Sequence, residues 1–265
     1  MLTRIERLET GRVVELSISE VAGGVTVQVC DPLNGAEREE VSRKIWWMLG
    51  LGEDLGPFYD LARGEARLAH VERQARGRFL RSPTVFEDLV KTILTTNTTW
   101  AGTIRMAEAV VAGFGDPLPT APSRHAFPTP QQLAAATEAE LRGGGLGYRA
   151  PFVLELAQRV AAGEIDLEAL KDKSYPAEQV RRMLLAIKGV GEYSAASLSL
   201  LLGYYHSIPV DSWARKLVAR EWYGGQPVGQ AEIEAVFERW REWKGLAYWF
   251  WNWEQAEEKE ATEKK

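Results

Sequence analysis

Residues 184–217 read LLAIKGVGEYSAASLSLLLGYYHSIPVDSWARKL, and this stretch decides the fold. It holds a glycine turn at Gly189 and Gly191, then an apolar run with helical spacing, then a proline-containing loop that ends at Asp211. Glycines permit positive φ and close backbone approach, so the amides near Val190 can point outward at the start of the second helix. The pattern predicts a helix-hairpin-helix whose turn binds a phosphate oxygen. The two glycines taken alone also fit a plain turn between helices.

Asp211 follows Pro209 and Val210 and precedes a helical pattern that includes Trp213 and Leu217. Its simplest role is that of a helix N-cap, which aspartate fills well. A carboxylate close to a phosphate-binding turn could also stabilise positive charge that develops on a deoxyribose as its base departs. The capping role and the catalytic role are compatible.

Composition limits the classes of protein that remain open. The chain has 265 residues, of which 26% are charged and 45% hydrophobic, which is typical of a soluble globular protein with one large or two intertwined lobes. The single cysteine, Cys30, excludes an internal disulfide framework and a four-thiolate zinc or iron–sulfur site. No signal-like segment and no apolar run long enough to span a membrane is present, so we expect a cytoplasmic protein.

The net charge of -5 does not exclude a polyanion partner, because basic side chains cluster locally. Residues 181–220 carry six basic side chains and only two acidic ones, Glu192 and Asp211. The basic residues of this segment are Arg181, Arg182, Lys188, Arg215, Lys216 and Arg220.

Hydrophobic periodicity predicts the elements around this segment. Residues 12–30 alternate about Ala22-Gly23-Gly24, which indicates a β-hairpin. The loop 116–128 contains four prolines and is expected to be irregular. The predicted fold is mostly α, with a small N-terminal β element (α+β overall). Helices are predicted from Glu37 onward, after Ser82-Pro83 with Ser82 or Thr84 as the cap, and over residues 102–114, 129–142, 150–162 and 176–187.

These elements predict two helical lobes. Residues 1–36 form the small β element, residues 37–82 together with 218–253 form one helical lobe, and residues 83–217 form the lobe that contains the helix-hairpin-helix. Residues 254–265 are predicted to be a flexible charged tail.

The motifs resemble those of a known family. Residues 185–195 (LAIKGVGEYSA) followed by residues 208–211 (IPVD) are similar to the helix-hairpin-helix and Gly/Pro-rich loop plus aspartate of the HhH-GPD DNA glycosylase superfamily. Residues 95–101 (TTNTTWA) and 141–150 (LRGGGLGYRA) resemble segments of its 8-oxoguanine branch, while other features resemble the DNA-3-methyladenine glycosylase II branch. The resemblance implies base excision from double-stranded DNA that carries a damaged base, by a monomer without a membrane partner.

The resemblance assigns roles position by position. Asp211 matches the catalytic aspartate, Asn97 the residue that fills the hole left by the flipped nucleotide, and Tyr148 the aromatic wedge, with Arg149 beside it. Asn97 could instead be a helix-terminal amide, and Tyr148 a packed surface aromatic. Backbone contacts to DNA are expected at Lys188, Gly189, Val190 and Gly191.

Main-chain carbonyls of Leu185, Ile187 and Val190 match those that hold a monovalent cation, Na⁺ or K⁺, in related hairpins. No other cofactor is expected, and an iron–sulfur cluster is excluded by the cysteine count.

Tyr193 is the main departure from the pattern. Bifunctional members have a lysine two residues after the second hairpin glycine, where the amine attacks the sugar carbon, and a phenol cannot form that imine. The sequence therefore predicts a monofunctional enzyme that uses water. The alternatives are a bifunctional 8-oxoguanine glycosylase/AP lyase that uses another amine, such as Lys188, and a non-catalytic lesion-sensing DNA-binding protein.

The base pocket is expected to include Ser197, Trp213 and Trp251. Tryptophans near the end of the chain could form a stacking wall, which suits electron-poor alkylated purines. They could equally close a lobe. The sequence leaves open whether the damaged purine is alkylated or oxidised.

Overall fold

The computed structural model describes residues 1–253. The fold is mostly α with a small β element, as predicted. The charged tail predicted at residues 254–265 lies outside the described residues. Within residues 1–253, no helix is both long and apolar enough to cross a lipid bilayer.

The N-terminal β element is a three-stranded antiparallel sheet of β1 (Leu2–Arg7), β2 (Val13–Val21) and β3 (Gly24–Val29), in the order β1-β2-β3. The predicted hairpin is β2–β3, and Gly23 supplies the positive φ of 77° that its turn requires. Strand β1 was not predicted, because the sequence before residue 8 lacks a clear alternation.

The proline-containing loop is not irregular throughout. It forms a second, two-stranded sheet, β4 (Pro117–Leu118) and β5 (Ala121–His125). The physical reason is burial: Leu118 and Ala126 pack with Ile5 and Val13 of the N-terminal sheet in one small core.

Most of the helices lie where the periodicity predicts them. Thr84, and not Ser82, caps the helix that follows Pro83, because its hydroxyl accepts the Glu87 N–H at 3.2 Å. The predicted helix 129–142 is in fact two helices, since Thr129 and Thr137 each begin a capping box. The helices are α1 (Gly35–Met48), α2 (Gly56–Ala62), α3 (His70–Arg73), α4 (Val85–Leu94), α5 (Trp100–Phe114), α6 (Pro130–Ala134), α7 (Glu138–Gly143), α8 (Ala150–Ala161), α9 (Ala177–Leu185), α10 (Glu192–Leu201), α11 (Ser212–Trp222), α12 (Gln230–Phe237) and α13 (Lys244–Trp249).

The chain divides into two compact units. The first unit comprises Met1–Met48, Arg81–Lys171 and Ile187–Gly189; the second comprises Leu49–Leu80, Asp172–Ala186 and the described residues from Val190 on. These boundaries differ from the predicted lobe boundaries, which follow residues 36, 82 and 217.

Helix α1 explains much of the difference, because it is tied to the N-terminal sheet. Lys44 of α1 forms an ion pair with Glu6 of β1 at 2.8 Å, and Glu37 of α1 pairs with Arg12 at 2.7 Å. Helix α1 therefore belongs with the sheet and not with the helices near the C-terminus. The second unit has its own core, which is rich in aromatic rings and includes Phe58, Phe237 and Trp240.

Candidate functional site

Asp211 is the N-cap of α11, and its carboxylate is exposed to solvent. The Oδ1 atom accepts the backbone N–H of Ala214 at 2.7 Å. Within residues 1–253 no group donates to Oδ2. One carboxylate oxygen therefore begins the helix while the other is available to a ligand. Both roles predicted for Asp211 are compatible with this geometry.

Two tyrosines lie close enough to Asp211 to respond to its charge. Burial raises the pKa of Tyr193; Ser197 partly opposes this increase, and the charge of the Asp211 carboxylate adds a smaller one. Burial also raises the pKa of Tyr248 strongly, followed by the charges of Asp211 and Tyr193. Both phenols are therefore protonated at neutral pH and can donate a hydrogen bond beside the carboxylate.

Ser197 lies one turn after Tyr193 on α10. Its hydroxyl donates to the Tyr193 carbonyl at 2.9 Å, which is the usual bond of a serine to the preceding turn of its helix. The side chain is half-buried, and its oxygen keeps lone pairs with which it can accept.

A cleft of about 580 Å³ opens in the second unit beside the start of α11. Trp213, the second residue of α11, is one exposed wall, and its ring meets Trp253 edge to face at 5.7 Å. Trp249 is another exposed wall, and it meets Phe79 edge to face at 5.3 Å. The residues that line this Trp213–Trp249 cleft are His70, Arg73, Gln74, Arg76, Trp213, Trp249, Phe250, Trp251, Asn252 and Trp253.

Trp251 borders this cleft but is only 5% exposed, so it does not form the open stacking wall that the sequence suggested. Its ring packs among Trp222, Phe237 and Trp240 in the aromatic core. Its buried Nε1 has no acceptor within residues 1–253. Trp213 and Trp249 are the tryptophans that present ring surface to a ligand.

Glycine occurs at position 189 of the hairpin for a different reason than at position 191. Gly189 has a φ of 86°, and a Cβ there would lie 2.9 Å from Cδ2 of Phe152 on α8, so it needs both its backbone freedom and its missing side chain. Gly191 is extended, and a Cβ would meet nothing within 4 Å. Its small size leaves open space in front of the first turn of α10.

Helix α10 begins at Gly191 without a side-chain cap, so the first amides of the helix stay available to an anion. Lys188 is largely exposed and pairs with Glu155 at 2.6 Å. An exposed pair of this kind is weak, so Lys188 can exchange Glu155 for a phosphate. Arg181 is bound to Glu192 in the first turn of α10.

The three carbonyls predicted to hold a cation accept no backbone hydrogen bond from residues 1–253. The carbonyls of Leu185 and Val190 belong to the second unit and that of Ile187 to the first.

In the first unit, the loop before α5 and the turn before α8 meet, so two of the sequence motifs form one cluster. Asn97 has a positive φ of 46°, and its Nδ2 donates to the Tyr148 hydroxyl at 3.3 Å. The Tyr148 hydroxyl also bonds to Thr96 at 3.3 Å. The hydrogen bonds of Thr96 lower the pKa of Tyr148 against a smaller opposing effect of burial, while Asn97 and the charge of Arg149 lower it further. Tyr148 is 46% exposed, so its ring is accessible to a ligand.

Arg149 is a correction to the predicted set of DNA contacts. It is only 6% exposed, and its guanidinium donates to the Thr96 carbonyl and to Met106 Sδ. The guanidinium also lies 4.5 Å from the centre of the Tyr148 ring. Arg149 therefore positions Thr96 and Tyr148, and its head group is not free to reach a base.

Sequence reasoning missed Tyr248, Arg73 and Arg76. Tyr248 lies 37 residues after Asp211 in an aromatic-rich segment, where nothing distinguishes it from its neighbours. Arg73 ends the short helix α3 and Arg76 follows it, far in sequence from every motif. Thr96 lies within the motif of residues 95–101, but no sequence pattern predicts its hydrogen bonds to Tyr148 and Arg149.

The chain matches one protein family, HhH-GPD superfamily base excision DNA repair protein, over residues 90–264. It is 29% identical over 150 residues to the N-glycosylase/DNA lyase of Saccharomyces cerevisiae, a match that covers 52% of this chain and 40% of the length of that relative.

Solved structures share the fold. The 3-methyladenine DNA glycosylase of Archaeoglobus fulgidus superimposes with a TM-score of 0.75 at 24% identity, covering 94% of this chain and 85% of the other. The 8-oxoguanine glycosylase/lyase of Clostridium acetobutylicum, in complex with double-stranded DNA containing cytosine opposite 8-oxoguanine, gives a TM-score of 0.73 at 22% identity. That match covers 97% of this chain and 88% of the other.

Proposed function

Because the chain belongs to the HhH-GPD superfamily of base excision DNA repair proteins, we propose that it is a monofunctional DNA glycosylase that removes a damaged purine from double-stranded DNA. The observation that carries the proposal is Asp211: an exposed carboxylate at the head of α11, with one oxygen used by the helix and the other available. A protein that only binds DNA has no need of a carboxylate there, because it repels phosphates.

The reaction needs stabilisation of a sugar cation. As the bond between the base and the sugar breaks, positive charge develops on the deoxyribose, and the Asp211 carboxylate stabilises it. Water then adds to the anomeric carbon and loses a proton, while the departing base gains one. Tyr193 and Tyr248 remain protonated, so they can donate hydrogen bonds beside the carboxylate.

The position of Tyr193 supports the absence of a lyase step. Strand cleavage through an imine requires an amine that attacks the sugar carbon, and a phenol cannot replace it. The yeast relative and the clostridial structure are both named as lyases. Their names favour the alternative of a bifunctional enzyme that uses a different amine.

Two surfaces, one in each unit, support DNA as the partner. Asn97 and Tyr148 form an exposed, hydrogen-bonded pair in the first unit that suits insertion beside a flipped nucleotide. The first turn of α10 in the second unit offers amides to a phosphate. We propose that a monovalent cation held by hairpin carbonyls of the second unit, those of Leu185 and Val190, supplies additional positive charge for that phosphate. One copy of the chain would act on each lesion, in the cytoplasm and on the nucleoid.

The deciding experiment incubates the protein with duplexes that carry 8-oxoguanine, hypoxanthine, uracil or 7-methylguanine, and analyses the strands with and without alkali. We expect strand breaks only after alkali treatment, which reports base excision without lyase activity. Borohydride should trap no covalent complex. Strand breaks without alkali, together with a trapped covalent complex, would show that the protein is a bifunctional glycosylase/lyase. If no base is released from any duplex, the remaining interpretation is a non-catalytic DNA-binding protein.

A further inference from the structure

We infer that the Trp213–Trp249 cleft receives the damaged base, and that Arg73 and Arg76 make it selective for neutral purines with carbonyl oxygens over cationic alkylated purines. The inference rests on the proposed glycosylase function and deepens it. Neutral purines of this kind arise by oxidation or deamination, whereas N3- or N7-methylation leaves the purine in DNA with a positive charge.

The place of the cleft relative to the carboxylate supports the base as its occupant. Trp213 is two residues after Asp211 on the first turn of α11. Trp249 directly follows Tyr248, which lies within reach of the charge of Asp211. The two helices that carry residues close to the Asp211 carboxylate, α11 and α13, therefore each contribute one wall of the cleft.

The two exposed walls are aromatic and accept the flat face of any purine. Their rings are held by edge contacts with Trp253 and Phe79, so the wall is formed before a ligand arrives. Stacking alone would favour electron-poor alkylated bases, as the sequence suggested. The selectivity must then come from the charges around the rings.

Those charges are positive. Arg73 and Arg76 line the cleft, are exposed, and have no ion pair or side-chain hydrogen bond within residues 1–253. None of the ten residues that line the cleft is acidic. Glu72, which directly precedes Arg73 in sequence, is bound to Arg63 at 2.6 Å.

Guanidinium groups donate hydrogen bonds and cannot accept them, so they complement carbonyl oxygens on the edge of a neutral base. The same groups repel a base that carries a positive charge. Asp211 lies two residues before Trp213, and its charge is directed at the sugar cation in the proposed reaction. Because the lining includes Arg73 and Arg76 and no acidic residue, the wall of the cleft is net positive.

The test is a competition between two lesions in otherwise identical duplexes, 8-oxoguanine against 7-methylguanine. We expect single-turnover excision of the neutral base to be at least about tenfold faster, which corresponds to about 1.4 kcal/mol. In the double variant Arg73→Glu/Arg76→Glu the ratio should shift toward the cationic base by about tenfold or more. Arg38→Glu is the control for charge reversal outside the cleft, because Arg38 is also exposed and unpaired within residues 1–253 but does not line the cleft.

The outcomes separate this inference from the proposed function. If the wild-type protein excises 7-methylguanine faster, and Asp211→Asn abolishes that activity, the glycosylase stands and the selectivity does not. If the double variant weakens binding to undamaged and damaged duplexes equally and lowers the salt dependence of binding, the arginines contact phosphate, and the base pocket is elsewhere. If no base is released from any duplex, the function itself fails.

Discussion

The Oδ1 atom of Asp211 accepts the backbone N–H of Ala214 at 2.7 Å, so the residue proposed to stabilise the sugar cation also begins α11. The two functions use different properties of the side chain. Capping requires an oxygen that accepts a hydrogen bond, and catalysis requires negative charge. Substitutions can therefore separate them.

Asp211→Asn should keep the fold and lose the reaction, because asparagine caps helices as well as aspartate but carries no charge. We expect the excision rate to fall by roughly two to three orders of magnitude, as for the loss of other charge-stabilising groups. Asp211→Ala should lose activity and also about 1 kcal/mol of stability, because the cap is gone. Single-turnover excision and thermal unfolding of the two variants check this. An Asp211→Asn protein that excises at the wild-type rate would remove Asp211 from the mechanism.

Tyr193→Lys should introduce lyase activity. Burial, which raises the pKa of the phenol, lowers the pKa of an amine at the same place, so more of the amine is neutral and nucleophilic. Borohydride should then trap a covalent complex with damaged DNA. Tyr193→Phe is the control for loss of the hydroxyl alone and should trap nothing. If Tyr193→Lys also traps no covalent complex while its excision activity is intact, position 193 does not face the sugar carbon.

Tyr148→Ala should slow excision by roughly tenfold or more, equivalent to about 1.4 kcal/mol, because the aromatic ring that would support the flipped state is removed. Tyr148→Phe keeps the ring and loses only the hydrogen bonds to Thr96 and Asn97, so its effect should be smaller. A fluorescent base analogue next to the lesion measures flipping in both variants. Equal effects of the two changes would mean that the hydroxyl, and not the ring, is what DNA requires.

Arg4→Met should destabilise the first unit by about 3 kcal/mol, because the buried Glu87 carboxylate loses its bidentate partner and keeps only Lys91. Arg4 binds Glu87 with two hydrogen bonds, of 2.9 and 2.5 Å. Burial alone would raise the pKa of Glu87, but the charges of Arg4 and Lys91 hold it below its ordinary value. Denaturant unfolding measures the change.

The matched control for Arg4→Met is Arg43→Met, which removes an exposed pair with Glu9 at 3.7 Å. We expect this change to leave the unfolding free energy almost unaltered. A similar loss of unfolding free energy in the two variants would show that burial does not increase the contribution of the Arg4–Glu87 pair to stability.

Asp88→Asn should stabilise the protein at neutral pH. Burial raises the pKa of Asp88 to about 6, although Ser82 donates to its Oδ1 at 2.9 Å. The folded chain therefore binds this proton more tightly than the unfolded chain. The contribution of Asp88 to the unfolding free energy falls as pH rises from about 3.8 to about 6 and stays low above that range.

Asparagine keeps the acceptor for Ser82 and avoids the buried charge. The variant should gain about 1 to 3 kcal/mol above pH 6 and nothing below about pH 4. Unfolding midpoints of wild type and Asp88→Asn across pH 4 to 8 give the difference. A constant difference over that range would mean that Asp88 keeps its charge in the folded state.

Local patterns predicted much of this molecule because the responsible forces act over a few residues. Gly189 and Gly191 marked the hairpin, the pair Ser82 and Thr84 around Pro83 marked the start of α4, and the position of Asp211 before an apolar run marked a cap. Each signal depends on backbone conformation or on capping hydrogen bonds within one turn of a helix.

What the sequence could not show depends on contacts between distant residues. Arg149 looked like a DNA contact, but Thr96, 53 residues earlier, uses its guanidinium. Trp251 looked like a stacking wall, but the aromatic core encloses it. Nothing in the local sequence tells a buried side chain from an exposed one when both lie in the same aromatic segment.

The contact of Phe152 with Gly189 makes that ring a built-in reporter. Because the ring fills the space where a side chain at position 189 would be, its magnetic environment depends on the position of the hairpin tip. A fluorine label on Phe152 should therefore change its resonance when a duplex is engaged, which makes DNA recognition visible without any chemical turnover.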